Sequence, residues 1–589
     1  MRYILQLALV LAALPAPAQE PNAALHRLFH DYYEDLLRHS PELATSVGRR
    51  EYNDRWSDLS ASGRAAWRST VEQYRQRLDR FRGTRLNRQD ALSYELLNQQ
   101  IARELEGWDL NNYYLPVSQM RGVHLSVFSL MALAPTETVK DYENLIARIR
   151  ALPRLAGQVA ESADTAIAKN LVQPRLVAEL VVKQLENQLA IDPAQSPLLA
   201  PFRKFPASIP EPERQRLRRE AETAYREAFV PAWTKLRDYM ANSYLPKARA
   251  PIGMSALPDG GKLYAFLVRR ETTTDLTPDQ IHEIGLREVK RIQDEMAAIR
   301  REIGFQGTPD EFVEKVLHAP DLLFRTEEEI LVHGRDIAKR IDPELPKLFR
   351  KLPRMTYGVK AIPPDRAKTA APYYQPPALD GSRAGFFFLR THQPETQSRC
   401  CMESLIVHEA VPGHHLQIAL AQEMENVPEF RKLSRFTAYI EGWGLYAETL
   451  GEALGMYTSP YERYGRLQTE IMRAVRLVVD TGIHAKGWTR EQAIEMMRLA
   501  KGGFITEGFI ASEVDRYIAM PAQALAYKVG GLKIEELRRE SEAKLGDRFD
   551  VREFHDVVLR NGALPLTLLE REVREYISAR QRRQAAGPK

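Results

Sequence analysis

Cysteine is nearly absent from this 589-residue chain: there are two, Cys400 and Cys401, and they are adjacent. Neighbouring cysteines can close only a strained vicinal ring, so no disulfide framework holds the fold, and the pair reads as buried packing. Long hydrophobic runs are equally scarce. The run from Leu5 to Leu14 is about half of the ~20 residues a membrane-spanning helix needs, and no later segment is long enough to span. Charge of one sign is missing too: 83 Lys+Arg face 78 Asp+Glu, a net +5 spread through mixed-sign stretches rather than blocks. That pattern gives no footprint for nucleic acid. Repeats of solenoid length, a Gly-x-Ser-x-Gly elbow and the two-residue alternation of strands are also lacking or rare. What remains, with 44% apolar and 27% charged residues, is a globular protein of several subdomains or one large helical body with a deep cleft. The basic end, Arg580, Arg582, Arg583 and Lys589, reads as a solvated, fraying tail.

The N-terminus carries more information. Arg2, the apolar run, and Ala16-Pro17-Ala18 with small residues at −3 and −1 form a secretory signal over residues 1–18, cut after Ala18. No cysteine follows to carry a lipid, so the mature protein is expected in the periplasm or outside the cell. Residues 19–260 form an N-terminal helical half, with apolar positions at three- and four-residue spacing as in Leu25, Leu28, Phe29, Tyr32 and Leu36. A Pro/Gly-rich stretch, Pro246 to Gly261, marks the boundary with a C-terminal half over 261–589. Helices there start at capping boxes, Thr277 with Gln280 and Thr489 with Gln492. The aromatic, turn-rich segment from Pro363 to Pro394 is the place for a short hairpin or edge strand. The fold class is therefore mostly α with a small β element.

Three of the thirteen histidines fall in one window, His408-Glu409-Ala410-Val411-Pro412-Gly413-His414-His415. A second His-Glu pair, His282-Glu283, has no further histidine a turn later and reads as a surface pair. In the zincin pattern His-Glu-x-x-His, the histidines stand four apart and reach one zinc at ~2.0 Å. Here the spacing is six or seven, which on an unbroken helix separates them by ~9 to 10.5 Å of rise. Pro412, however, cannot donate to the carbonyl of His408 and crowds it, and Gly413 accepts almost any backbone angle. A kink or bulge there lets His414 stand where the second zincin histidine stands, with His415 as a neighbouring or substrate-contacting group; His415 as the ligand is the alternative.

The third ligand is expected from Glu441-Gly442-Trp443-Gly444, where two glycines let a second helix come close. A two-histidine, one-carboxylate set leaves a fourth position open, as catalytic zinc requires. Glu448, two turns on, either orients a histidine or is a solvated carboxylate. The apolar stretch Glu462 to His484 carries Arg473 and a polar stripe, Arg476, Asp480 and His484, which marks either a functional cleft or an internal ion-pair network. Near Arg516-Tyr517 and Tyr527-Lys528, tyrosine and cationic groups offer contacts for an oxyanion or a substrate carboxylate.

These residues resemble the bacterial "domain of unknown function 885" family, placed with gluzincin-type zinc metallopeptidases. The matching pieces, Tyr373–Gly385, His408–Gln417, Glu441–Glu448, Arg476–Trp488, Arg516–Gly530 and Phe554 to Glu570, occur in order and cover most of the chain after Asp275; the N-terminal half resembles the family through weaker motifs. Two departures stand out: Ala522 where a glycine is usual, and Ala384 where a proline is usual. The resemblance implies two helical halves around a deep cleft, with a small strand element beside the zinc helix. It implies His408, His414 and Glu441 as zinc ligands and Glu409 as general base. The expected activity is peptide-bond hydrolysis by a zinc-activated water, in carboxypeptidase, dipeptidase or oligopeptidase mode. Tyr517, Tyr527, His484 and His555 are candidates for stabilising the oxyanion, and Arg516, Lys528, Tyr374, Arg383 and His415 for contacting substrate. The rival readings are a non-catalytic zinc-containing peptide-binding protein and an amidase or other hydrolase of non-peptide substrates.

Overall fold

The computed structural model describes residues 20–115, 117–317, 319–363, 371–379, 381, 383–501 and 505–585. The signal segment, Pro116 and Lys589 lie outside them. Helices dominate, as their start signals require. Capping boxes close at Thr277/Gln280, Ser459/Glu462 and Thr489/Gln492, each side chain taking an N–H that the first helical turn leaves unpaired.

Seven helices build the site: α1 (Pro278–Glu302), α2 (Met402–Glu409), α3 (His414–Gln422), α4 (Thr437–Leu450), α5 (Pro460–Lys486), α6 (Glu507–Ala519) and α7 (Leu525–Leu545). The central one is α5, buried from Tyr464 to His484 apart from Arg466. A 27-residue helix sunk that deep must pair every charge it carries. It packs against α1, where His282 is buried and its Nδ1 lies 2.8 Å from the Thr481 hydroxyl. His282 is thus an interior histidine and not the surface residue its local sequence suggested; only Glu283 is exposed.

Helices α4 and α7 approach until backbone meets backbone. A side chain on Gly530 would run into the Ala438 carbonyl, and one on Gly442 would lie 2.5 Å from the Gly530 Cα.

The only sheet among the described residues has three strands, β1 (Tyr357–Ala361), β2 (Tyr373–Gln375) and β3 (Gly385–Leu389), in the order β1-β3-β2. β2 and β3 form the expected antiparallel pair, with Tyr374 opposite Phe387, while β1 adds a parallel strand from just before the aromatic segment. The largest hydrophobic core runs from Leu25 to Ile577, so the two stretches separated near residue 260 share it. No helix among the described residues is long and apolar enough to cross a membrane.

Candidate metal centre

Helix α2 ends at Glu409, and the chain turns through Ala410 to Gly413 before α3 begins at His414. The break is complete where a bulge was expected, because the Gly413 N–H turns back to the Val407 carbonyl and His415 N–H to Ala410. A Cβ at Gly413 would overlap the carbonyls of Val407 and His408, so glycine is required by close approach. Trp443 on α4 pins the turn, its indole N–H donating to the Pro412 carbonyl at 2.8 Å. The result sets the His408 and His414 rings edge to face, centroids 4.7 Å apart.

Glu441 on α4 closes the group. Its Oε2 lies 3.7 Å from His408 Nε2 and 3.5 Å from His414 Nε2, and the three donor atoms lie within 4.8 Å of one another. Ligand atoms ~2.0–2.1 Å from a tetrahedral zinc stand about 3.3 Å apart, so the two carboxylate–histidine separations fit zinc with a contraction of a few tenths of an ångström. Gly444 makes room: a Cβ there would press on the His408 ring at 2.7 Å. Gly442 faces α7 instead, so the two glycines serve different neighbours. His408 donates from Nδ1 to Glu448 Oε1 at 2.8 Å, which leaves Nε2 free to ligate. Glu448 is in turn fixed by the hydroxyls of Ser404 (2.6 Å) and Thr469 (2.7 Å), settling it as the orienting group.

The electrostatics favour a cation here. Burial opposes charge on His408, but Glu441 and Glu448 outweigh it and raise its pKa to about 9. Glu448 itself, despite burial, is held down to about 2, chiefly by Arg473 and His408, and Glu441 is held well below the usual range by both histidines. Glu409 is pushed up by burial. His414 Nδ1 has no partner among the described residues.

These groups open into a cavity of about 420 Å³ whose wall also includes Tyr374, Arg473, Arg476, Arg516 and Tyr527. A neighbouring cavity of about 410 Å³ shares Leu405, Phe509, Glu513 and Arg516 with it.

Several expected site residues stand elsewhere. His415 offers no nitrogen to a metal: Nε2 donates to the Met355 carbonyl at 2.9 Å and Nδ1 accepts from Tyr374 at 2.7 Å. It positions the Tyr374 ring instead, and burial lowers its pKa to about 4. His484 is enclosed between the Met254 N–H and the Tyr517 carbonyl. His555 lies between the Leu348 carbonyl and the Tyr446 hydroxyl. Burial lowers both to about 3, so each is a neutral interior group outside the cavity wall.

Tyr517 is fully buried, donating to Glu513 at 2.7 Å and accepting from Arg476 Nε at 2.8 Å. Lys528 follows Tyr527 by one residue, about 100° round α7, and points away to Glu470 (2.7 Å) and Glu288 (3.0 Å). Arg383 donates to the Ala384 carbonyl beside Tyr374 and does not line the cavity. Arg516 does line it, but its three nitrogens are engaged by Glu513 and Gln523.

The polar stripe on α5 divides: Arg476 faces the cavity, whereas Asp480 binds the Tyr264 hydroxyl and the Ala522 N–H inside the protein. Arg473 and Arg476 are wall residues that the sequence marked only through their charge on so apolar a helix, which names a need for partners but not the partner; Glu513, on α6, is the wall carboxylate that this signal did not name.

The chain belongs to the family described as bacterial protein of unknown function (DUF885), whose model matches residues 41–573. It is similar to a solved structure of a protein named as a lipoprotein from Colwellia psychrerythraea, at 30% identity and TM-score 0.89, covering 94% of this chain and 99% of that one. A second, named as a lipoprotein of unknown function from Shewanella oneidensis, shares the fold at 17% identity and TM-score 0.74, covering 93% and 99%. A protein named as oligoendopeptidase F from Bacillus anthracis str. Ames aligns at 13% identity and TM-score 0.30 over 87% and 96% of the two chains, too low to bear on function. No curated protein matches the sequence.

Proposed function

We propose that this protein is an extracytoplasmic zinc-dependent peptidase. The observation that carries the proposal is the buried His408, His414 and Glu441 group, with Glu448 orienting His408 and Glu409 beside it in one cavity. The apolar run and Ala16-Pro17-Ala18 support export.

Zinc held by three protein ligands supplies a water nucleophile at neutral pH and Lewis acidity towards the scissile carbonyl. Glu409 accepts the proton from the attacking water and returns it to the leaving amine. Tyr527, on the cavity wall, presents its hydroxyl to the oxyanion, and Tyr374, held by His415, borders the substrate.

The test is metal analysis of the mature protein together with digestion of a peptide library by wild type and Glu409→Gln. Stoichiometric zinc in both proteins, with a rate loss of ~10²- to 10⁴-fold in the variant, is expected. Active protein without zinc overturns the proposal, and zinc-loaded wild type that cleaves nothing turns the reading to a binding protein.

A further inference from the structure

Arg473, Arg476 and Arg516, together with the solvent-exposed Arg435, stand in the wall of the candidate metal cavity. The first two sit three apart on α5, so they share a face, and their side chains are only 8% and 6% exposed. Two carboxylates answer them. Glu513 takes both Nε and Nη2 of Arg516, Nη2 of Arg476 at 2.9 Å, and the Tyr517 hydroxyl. Glu448, 3.6 Å from Arg473 Nη2, already accepts from His408, Ser404 and Thr469. Glu441 is engaged by His408 and His414.

Both arginines keep a spare donor: Arg476 Nη1 and Arg473 Nε are buried without a partner among the described residues, while their other nitrogens reach Glu513, Tyr517 and the Thr469 carbonyl, and a buried donor of a charged group left without an acceptor is costly until one reaches it. Arg476 also lies over the Tyr527 ring, 4.7 Å from its centroid, and so borders the same space as Glu441.

We infer that Arg476, with Arg473, holds a carboxylate of the peptide substrate beside the metal, and that this anchor selects what is cleaved. The inference rests on the peptidase reading for its substrate. A planar guanidinium donating to a carboxylate gives short, charge-assisted hydrogen bonds, and in a buried site these are worth at least a tenfold preference, with an order of magnitude per ~1.4 kcal/mol. The carboxylate is supplied either by the peptide's free C-terminus or by an acidic side chain.

The experiment is calorimetric binding to Glu409→Gln protein, which keeps peptides intact, of three probes: Ala-Phe-Ala free acid, Ala-Phe-Ala amide, and Ala-Phe-Glu amide. A preference of about tenfold or more for one carboxylate-bearing probe over the neutral amide is expected, and which probe wins identifies the source. In an Arg476→Gln background the preference falls below about threefold, while Arg476→Lys keeps part of it. Equal binding of all three probes overturns the inference, as does a preference that survives in Arg473→Gln/Arg476→Gln. The probe comparison needs no arginine variant, so a misfolded variant does not leave the idea standing. Because binding is read without turnover, a protein that hydrolyses peptides but ignores the carboxylate sinks this inference alone.

Discussion

At the scale of single residues, one constrained backbone position outside the candidate metal centre is Ala522. Its φ of +68° is left-handed, and its N–H donates to both oxygens of the buried Asp480 carboxylate. An L-residue pays roughly 1–2 kcal/mol for that conformation, a cost that a glycine here would avoid. Yet Ala522 is fully buried; its methyl group contributes about 0.8 kcal/mol, and glycine's greater freedom in the unfolded chain costs about 0.4–1 kcal/mol. The terms nearly cancel. Ala522→Gly is therefore expected to change stability by less than about 1 kcal/mol. Ala522→Val adds bulk to a packed site and a β-branch to a left-handed residue, and should cost at least about 2 kcal/mol. Chemical denaturation of the two variants checks this, and a valine as stable as wild type would show that the turn relaxes.

At the scale of elements, the candidate metal centre depends on how closely α4 can lie against its neighbours. Gly530→Ala would drive a methyl into the Ala438 carbonyl, a backbone atom that cannot swing aside. The expected cost is about 3 kcal/mol or more, at the upper end of overpacking, and Glu441 should shift with its helix so that zinc binding weakens too. Gly157 is the control. It lies in the exposed middle of Leu152–Ala168 with nothing within 4 Å of an added Cβ, so Gly157→Ala should stabilise by up to about 1 kcal/mol. Thermal melts and zinc titration of the pair separate crowding from helix propensity.

The same elements show what could be read from sequence. The break at Pro412-Gly413 was legible because a missing N–H and a missing Cβ act locally, whatever surrounds them. The approach of α4 was legible from its glycines, though which glycine met which helix was not. His484, His555 and Lys528 were misread because periodicity gives the direction a side chain leaves its helix and says nothing of what waits there. Lys528 met two glutamates from α1 and α5, and both histidines met backbone carbonyls, partners supplied by segments tens to hundreds of residues away. The N-terminal strand β1 was missed for a related reason: its neighbour β3 lies beyond a long connection, and a five-residue strand carries little signal alone.

At the scale of the whole molecule, no disulfide constrains the chain; Cys400 and Cys401 are free and buried. Cohesion comes from a core that joins the N-terminal helices to the last ones, and from buried polar ties across it such as Arg431, which donates to Gln89 at 2.6 Å and to the Asn561 carbonyl at 2.9 Å. A metal adds to this in a specific way. His408, His414 and Glu441 come from three helices, α2, α3 and α4, each of which also contributes to that core. In the unfolded chain the three residues are not gathered, so zinc bound by them would stabilise the folded form by RT ln(1 + [Zn]/Kd), about 2.7 kcal/mol at a hundredfold excess over Kd and about 4.1 at a thousandfold. Chelation should lower the thermal midpoint, and added zinc should restore it in a concentration-dependent manner. Glu441→Ala should abolish that response, since two histidines alone bind far more weakly, while Glu409→Gln, which leaves the ligands intact, should preserve it. If scanning calorimetry shows the same midpoint with chelator and with saturating zinc, the three residues do not form a metal site, and the burial of Glu441 beside two histidines needs another explanation.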